Sequence, residues 1–130
     1  FEYSDVLEYP LMKSSFIICY YTVQFVHPSV RQFLINKIYE SLDWGGALVM
    51  FEKVRGADAR FQDILTGLYH DYKMKMGYST DEVVAKSQSL RGVMEPFSFQ
   101  GNIDLLKRAG FLDIETIYKN ICFQGFLAIK

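Results

Sequence analysis

The sequence predicts an α/β fold built around a parallel strand–helix–strand unit. Two apolar runs of strand length, residues 15–21 and 47–54, show almost no alternation, as strands buried on both faces do. A helical pattern lies between them, and the three elements together take about 40 residues, enough for a right-handed crossover. Aromatic residues make up 16% of the chain, which suits wide sheet faces better than a plain helical bundle.

The chain opens inside what reads as the end of a strand, runs into a polar turn and has no initiating Met, a pattern that predicts a fragment. After the strand at 15–21, Pro28 marks a helix start, where its missing N–H costs nothing. The helix at 29–42 carries Val30, Phe33, Leu34, Ile38 and Leu42 at steps of three and four, so one stripe faces a core. Gly45-Gly46 reads as its C-cap, followed by the strand at 47–54. A helix at 58–76 sets Phe61, Ile64, Leu65, Leu68, Tyr69, Tyr72 and Met76 on one face. Ser79 and Glu82 form a capping box that opens a helix running to about Val93. Residues 99–109 form a last helix closed by Gly110, and 113–130 read as two strands joined near Lys119-Asn120. The order is β-α-β-α-α-α-β-β, a single partial domain over residues 1–130.

With 130 residues, 50% apolar and 22% charged, the chain can bury one core and is not of disordered composition. A net charge of −1 gives no direct nucleic-acid signature. No apolar run approaches the roughly 18 residues of a membrane span, and the first residues resemble neither a signal nor a transit peptide. Cys19 and Cys122 sit in apolar runs and read as buried free thiols, consistent with a cytoplasmic location.

His27 and His70 are the only histidines, and neither has the neighbours of a metal site or a nucleophilic triad, so no metal is expected. There is no nucleophile elbow and no phosphate-cradling Gly-rich loop. Glu52-Lys53 stands at the carboxyl end of a strand, where open α/β sheets bind ligands. A solvated strand end is the other reading. Lys53, Arg55, Arg60, Lys73 and Lys75 are loosely basic, a pattern that solvated helix faces also produce.

Two stretches resemble the late motifs of class I S-adenosylmethionine-dependent methyltransferases. They are Gly45-Gly46-Ala47-Leu48-Val49, and Leu105-Leu106-Lys107-Arg108-Ala109-Gly110-Phe111 before the terminal hairpin. The middle is more specific. Tyr21-Thr22-Val23-Gln24-Phe25-Val26, Lys37-Ile38-Tyr39, Glu52-Lys53, His70-Asp71-Tyr72-Lys73, Gly77-Tyr78-Ser79 and Val93-Met94 are similar to the carboxy-S-adenosylmethionine synthase family, long described as tRNA wobble-uridine methyltransferases. The resemblance runs from about Asp5 to Lys130.

The resemblance implies the C-terminal half of a Rossmann-like sheet ordered 3-2-1-4-5-7-6, with this chain supplying strands 4, 5, 7 and 6 and their flanking helices. It implies an enzyme, a transferase that binds S-adenosylmethionine or carboxy-S-adenosylmethionine, takes its carboxyl group from prephenate and acts in tRNA wobble-uridine modification. In such a half-sheet the apolar run at 15–21 is an uncovered edge, which predicts pairing with a second copy as a homodimer. The 130 residues alone are expected to be inactive, since the Gly-rich loop and ribose-holding acid of such a fold belong to its first three strands. Alternatives are an ordinary methyltransferase of another acceptor, or a non-catalytic dimerisation or binding module.

Four residues are implied at the cofactor, and no catalytic residue is assigned. Asp5 and the Val6 N–H would meet the adenine edge, a carboxylate accepting from the exocyclic amine while the N–H donates to a ring nitrogen. Asp5 otherwise reads as a turn residue. Tyr20 stands where the family has a cofactor-contacting Asn, and Ser87 where it has the Arg that pairs with the carboxylate of the modified cofactor. Arg91, four residues on, is either a solvated charge or a substitute for that Arg.

Overall fold

A computed structural model describes residues 2–130. The strands are β1 (Ser14–Tyr20), β2 (Leu42–Lys53), β3 (Asp113–Asn120) and β4 (Phe123–Ile129). The helices are α1 (Pro28–Ser41), α2 (Ala59–Lys75), α3 (Thr80–Ser89) and α4 (Phe99–Ala109), with a short 3-10 turn at Val23–Phe25. One sheet ordered β1-β2-β4-β3 contains all four strands. β1 and β2 are parallel, and β4 is antiparallel to both of its neighbours. That is the 4-5-7-6 order implied by the resemblance, and it leaves β1 as an edge.

The core lies on one face of this sheet. Alternation along β2 turns Leu48, Met50 and Glu52 inward, against Leu34, Ile35 and Ile38 of α1 and Leu105 and Leu106 of α4. Each of the apolar side chains contributes roughly 1.5–3 kcal/mol by leaving water. α1 and α4 pack against each other, and β4 closes the core with Phe126 and Ala128. The opposite face is sparsely covered. Phe16, Ile18 and Tyr20 of β1 alternate outward and are 52%, 56% and 66% exposed. No residue of α2 is buried, so the apolar stripe of Phe61, Ile64, Leu68, Tyr72 and Met76 is left half-exposed.

Four expectations are corrected. Gly45-Gly46 does not cap α1. The helix ends at Ser41, Leu42 turns extended and is fully buried, and β2 begins there. Leu42 pairs with Ser14 and Ala47 with Phe16, so the glycines sit in a bulge. Gly45 takes a φ of 74°, and a Cβ on Gly46 would meet the Asp43 carbonyl at 2.8 Å. Second, α3 stops at Ser89 rather than Val93, and Arg91 lies in the turn beyond it. Third, the hairpin turns at Ile121-Cys122, because Asn120 is still paired with Phe123. Ile121 has a φ of 50°, a costly conformation for a β-branched residue. The opening strand is also absent from the described part: residues 2–5 are irregular, and Phe1 lies outside the described residues. Both cysteines are free and buried, and burial with Glu52 nearby pushes the Cys19 thiol up to about 12.

Candidate functional site at the carboxyl ends of β1 and β2

The parallel pair β1–β2 directs its carboxyl ends to one side of the molecule, where the chain leaves each strand under constraint. Tyr21 follows β1 with a φ of 53°, outside the range an aromatic residue prefers. Its N–H donates to the Phe51 carbonyl at 2.9 Å. By alternation the N–H and C=O of Tyr20 point to the open edge, where, among the described residues, the carbonyl accepts from the Thr22 hydroxyl at 3.3 Å. The Tyr20 ring meets Tyr21 and Phe51 edge-on, with centroids 4.6 and 5.6 Å away.

Glu52 holds this corner together from below. It is the third inward residue of β2 and is 2% exposed, so it is not a solvated strand end. Its two oxygens accept from the N–H groups of Val23 (3.0 Å) and Gln24 (2.8 Å), buried donors at the start of the 3-10 turn that have no partner within it. The Gln24 side chain returns to the strand, its Oε1 accepting from Lys53 N–H at 2.7 Å. Arg31 of α1, 1% exposed, donates to the carbonyls of Val26 (2.7 Å) and Gln24 (3.0 Å) and lies 4.4 Å over the Phe97 ring. The Gln24 carbonyl also accepts from the Glu95 N–H at 3.1 Å, tying in the segment after α3. Burial raises the Glu52 carboxyl to about 7 against the opposing pull of Val23, Gln24 and Arg31. Burial likewise lowers Arg31.

Beside this network lies a cavity of about 530 Å³, walled by the end of β2, by α2 and α3, and by the segment after α3. Its floor is aromatic: the Phe123 ring meets Tyr21 at 5.6 Å and Tyr69 at 5.3 Å. Lys53, Arg55, Lys73, Lys86 and Arg91 line it, against the single carboxylate Glu95. The basic residues singled out in the sequence thus divide. Lys53, Arg55 and Lys73 converge here, whereas Arg60 and Lys75 do not line the cavity.

Of the four residues implied at a cofactor, only Ser87 lines this cavity, together with Arg91. Tyr20 stands one residue from Tyr21 on the rim. Asp5 and Val6 lie in a turn against α1. Asp5 Oδ1 accepts from the Leu7 N–H at 2.8 Å, and the Lys37 ammonium donates to the carbonyls of Val6 (3.4 Å) and Leu7 (2.9 Å). The bonding of Glu52, Gln24 and Arg31 into one network and the convergence of Lys53 and Lys73 escape sequence reading. Their only signal is a charged residue that continues the inward alternation of Leu48 and Met50. Among the described residues no cluster of three metal-ligating side chains forms, and no helix is long and apolar enough to cross a membrane.

No family model matches the chain. Individual proteins do. The carboxy-S-adenosyl-L-methionine synthase of Nautilia profundicola is 42% identical over 127 residues, spanning 98% of this chain and 54% of that protein. This chain resembles the carboxy-S-adenosyl-L-methionine synthases. That of Staphylococcus epidermidis is 37% identical over 126 residues, spanning 97% of this chain and 55% of the synthase. The chain therefore covers about half the length of the synthases it matches. Solved structures agree on the fold. Human N-acetylserotonin methyltransferase in complex with S-adenosylmethionine superimposes with a TM-score of 0.66 at 22% identity, over 99% of this chain and 33% of that one. An O-methyltransferase family 2 protein from Planctomyces limnophilus, in complex with apigenin, gives 0.66 at 14% identity over 98% and 33%. The fold is that of the second part of a class I methyltransferase sheet.

Proposed function

We propose that this chain is the C-terminal half of the catalytic domain of an S-adenosylmethionine-binding transferase, one that makes or uses the carboxylated cofactor in tRNA wobble-uridine modification. The observation that carries the reading is 42% identity to a synthase along 98% of the chain, on a sheet whose strand order is that of the family. In this reading the cofactor, S-adenosylmethionine or its carboxylated form, crosses the open edge of β1. Asp5 and the Val6 N–H face the adenine, with one Asp5 oxygen left after the Leu7 bond. The Tyr20 carbonyl, engaged among the described residues by the Thr22 hydroxyl, faces the methionine arm, and Ser87 stands at the far end. When bound, the cofactor supplies a sulfonium-activated carbon. The chain's own residues orient it and shield the corner from water. Prephenate is the carboxyl source, a second copy of the protein covers the apolar surfaces of β1 and α2, and the protein works in the cytoplasm.

Ser87 favours a second reading, an ordinary methyltransferase of another acceptor. A hydroxyl cannot make the charge-assisted bond of the family Arg, a bond of about 1.5–3 kcal/mol, or roughly ten- to a hundredfold in affinity. Calorimetry of the whole natural polypeptide with both cofactors separates the readings. Micromolar binding of at least one is expected, and Ser87→Arg should shift preference toward the carboxylated form by roughly ten- to a hundredfold. Arg91→Ala should reduce that preference if Arg91 substitutes for the Arg. Binding of neither cofactor overturns the transferase reading and leaves a dimerisation or binding module.

A further inference from the structure

A second cavity, of about 450 Å³, opens at the start of α4, beside the β3–β4 hairpin and the first turns of α2. Lys53, Lys73 and Tyr69 line the cavity already described and do not line this one. Backbone bonds fix its frame. The Val54 N–H donates to the Cys122 carbonyl at 2.6 Å, the Arg55 N–H donates to the Phe97 carbonyl at 3.0 Å, and Arg55 bridges to Ser98. Its wall is mostly apolar, with Val54, Phe61, Leu65, Phe99 and Ile121. The Phe99 ring is stacked on buried Phe126, with centroids 5.9 Å apart. The charged side chains on the wall are Arg55 and Lys119, and no carboxylate lines it among the described residues. Ser98 Oγ accepts from the Gly101 N–H at 3.1 Å, which leaves the Phe99 and Gln100 N–H groups without a partner inside the helix. Gln124 is the decisive residue. It lines the cavity, is 8% exposed, and sits by alternation on the α4 side of β4 with Phe126. Its Oε1 is buried with no hydrogen-bond partner among the described residues. Such an orphan is uncommon in native proteins and calls for a missing partner. With no bond holding that oxygen, the amide can turn on its last side-chain bond toward the cavity.

We propose that this cavity binds a small monocarboxylic acid whose flat apolar body carries one N–H or O–H donor. The carboxylate is taken by Arg55, Lys119 and the first N–H groups of α4, where the helix dipole adds to the two positive charges. The Phe61 and Phe99 rings cover the body, and its donor pairs with Gln124 Oε1. Size fits, since about 450 Å³ is within the range of small-molecule sites. Charge fits, because no acid on the wall opposes an anion. The donor follows from Gln124, since an apolar body without one would leave the buried oxygen unpaired. The argument uses none of the residues assigned to the cofactor, so it survives a failure of that reading.

The test is calorimetry of the whole natural polypeptide with indole-3-acetate, 1-naphthaleneacetate and acetate as probes. Indole-3-acetate is expected to bind roughly three- to tenfold more tightly than 1-naphthaleneacetate, which has the same shape and charge but no donor. Acetate alone should bind at least tenfold more weakly than either, because it leaves the aromatic wall empty. Gln124→Leu should erase the difference between the two aromatic acids without lowering the melting temperature, since it removes an unpaired buried acceptor. Lys119→Gln should weaken both by roughly threefold or more, whereas Lys73→Gln, in the other cavity, should leave both unchanged. A second measurement, nitrogen-15 NMR of the wild-type protein, does not depend on how well the variants fold. Indole-3-acetate should move the Gln124 side-chain amide and the Phe99 and Gln100 N–H signals. Equal affinity for the two aromatic acids, weakening by Lys73→Gln as large as by Lys119→Gln, or no movement of the Gln124 amide signal would overturn the proposal.

Discussion

Glu52→Ala is expected to destabilise the protein by about 3–5 kcal/mol, a large share of the stability of a domain of this size. The alanine strands the Val23 and Gln24 N–H groups in a dry corner, at roughly 1–3 kcal/mol each, and leaves buried Arg31 without its nearby acid. Urea denaturation reads the loss directly. Glu52→Gln keeps one acceptor and should cost only about 1–2 kcal/mol. The two forms should also differ in pH dependence. Burial places the Glu52 carboxyl in the folded protein at about 7, above its unfolded value near 4.5. The folded state therefore binds the proton more tightly, and this contribution is full below about pH 4.5 and lost as pH rises through about 7. Wild type should lose stability over that interval relative to Glu52→Gln. Parallel profiles for the two would show that Glu52 is ionised throughout.

Gly110→Ala should cost about 3 kcal/mol, seen as a melting temperature lower by roughly 10 °C. Two separate penalties combine. Gly110 caps α4 with a φ of 117°, a region that costs an L-residue on the order of 1–3 kcal/mol. An added Cβ would also meet the Tyr39 ring at 2.8–3.1 Å. That ring cannot yield freely, because it packs edge-on against buried Phe111 with centroids 4.9 Å apart. Gly67→Ala is the control. It lies on the exposed side of α2 with nothing within 4 Å of an added Cβ, so alanine there should add about 0.5–1 kcal/mol of stability. A loss at Gly67 as large as at Gly110 would point to α2 rather than the α1–α4 contact.

The sheet was legible because β1 and β2 carry apolar runs of strand length on either side of a helical pattern. Gly45-Gly46 misled because glycine serves caps and bulges alike, and only the pairing of Leu42 with Ser14 separates them. Ser87 and Arg91 were expected on one helical face. They reach the same cavity although α3 ends between them, through the turn that follows. The lysine pair could not be read in advance: Lys53 and Lys73 are far apart in the chain, and it is the packing of α2 beside the end of β2 that sets both on Tyr69. Glu52 was legible as a strand-end candidate but its burial was not, since an acid there is usually solvated, and it is the 3-10 turn above it that supplies donors that make burial tolerable.

The central claim is that the carboxyl ends of β1 and β2 form the ligand side of a transferase. A crystal structure of the whole natural polypeptide with S-adenosylmethionine tests it most directly. The cofactor is expected across the open edge of β1, with its methionine arm against the Tyr20 carbonyl and its sulfonium facing the cavity that Ser87, Lys53 and Lys73 line. Cofactor bound at the amino ends of these strands, or elsewhere with β1 covered by other protein, would contradict the account.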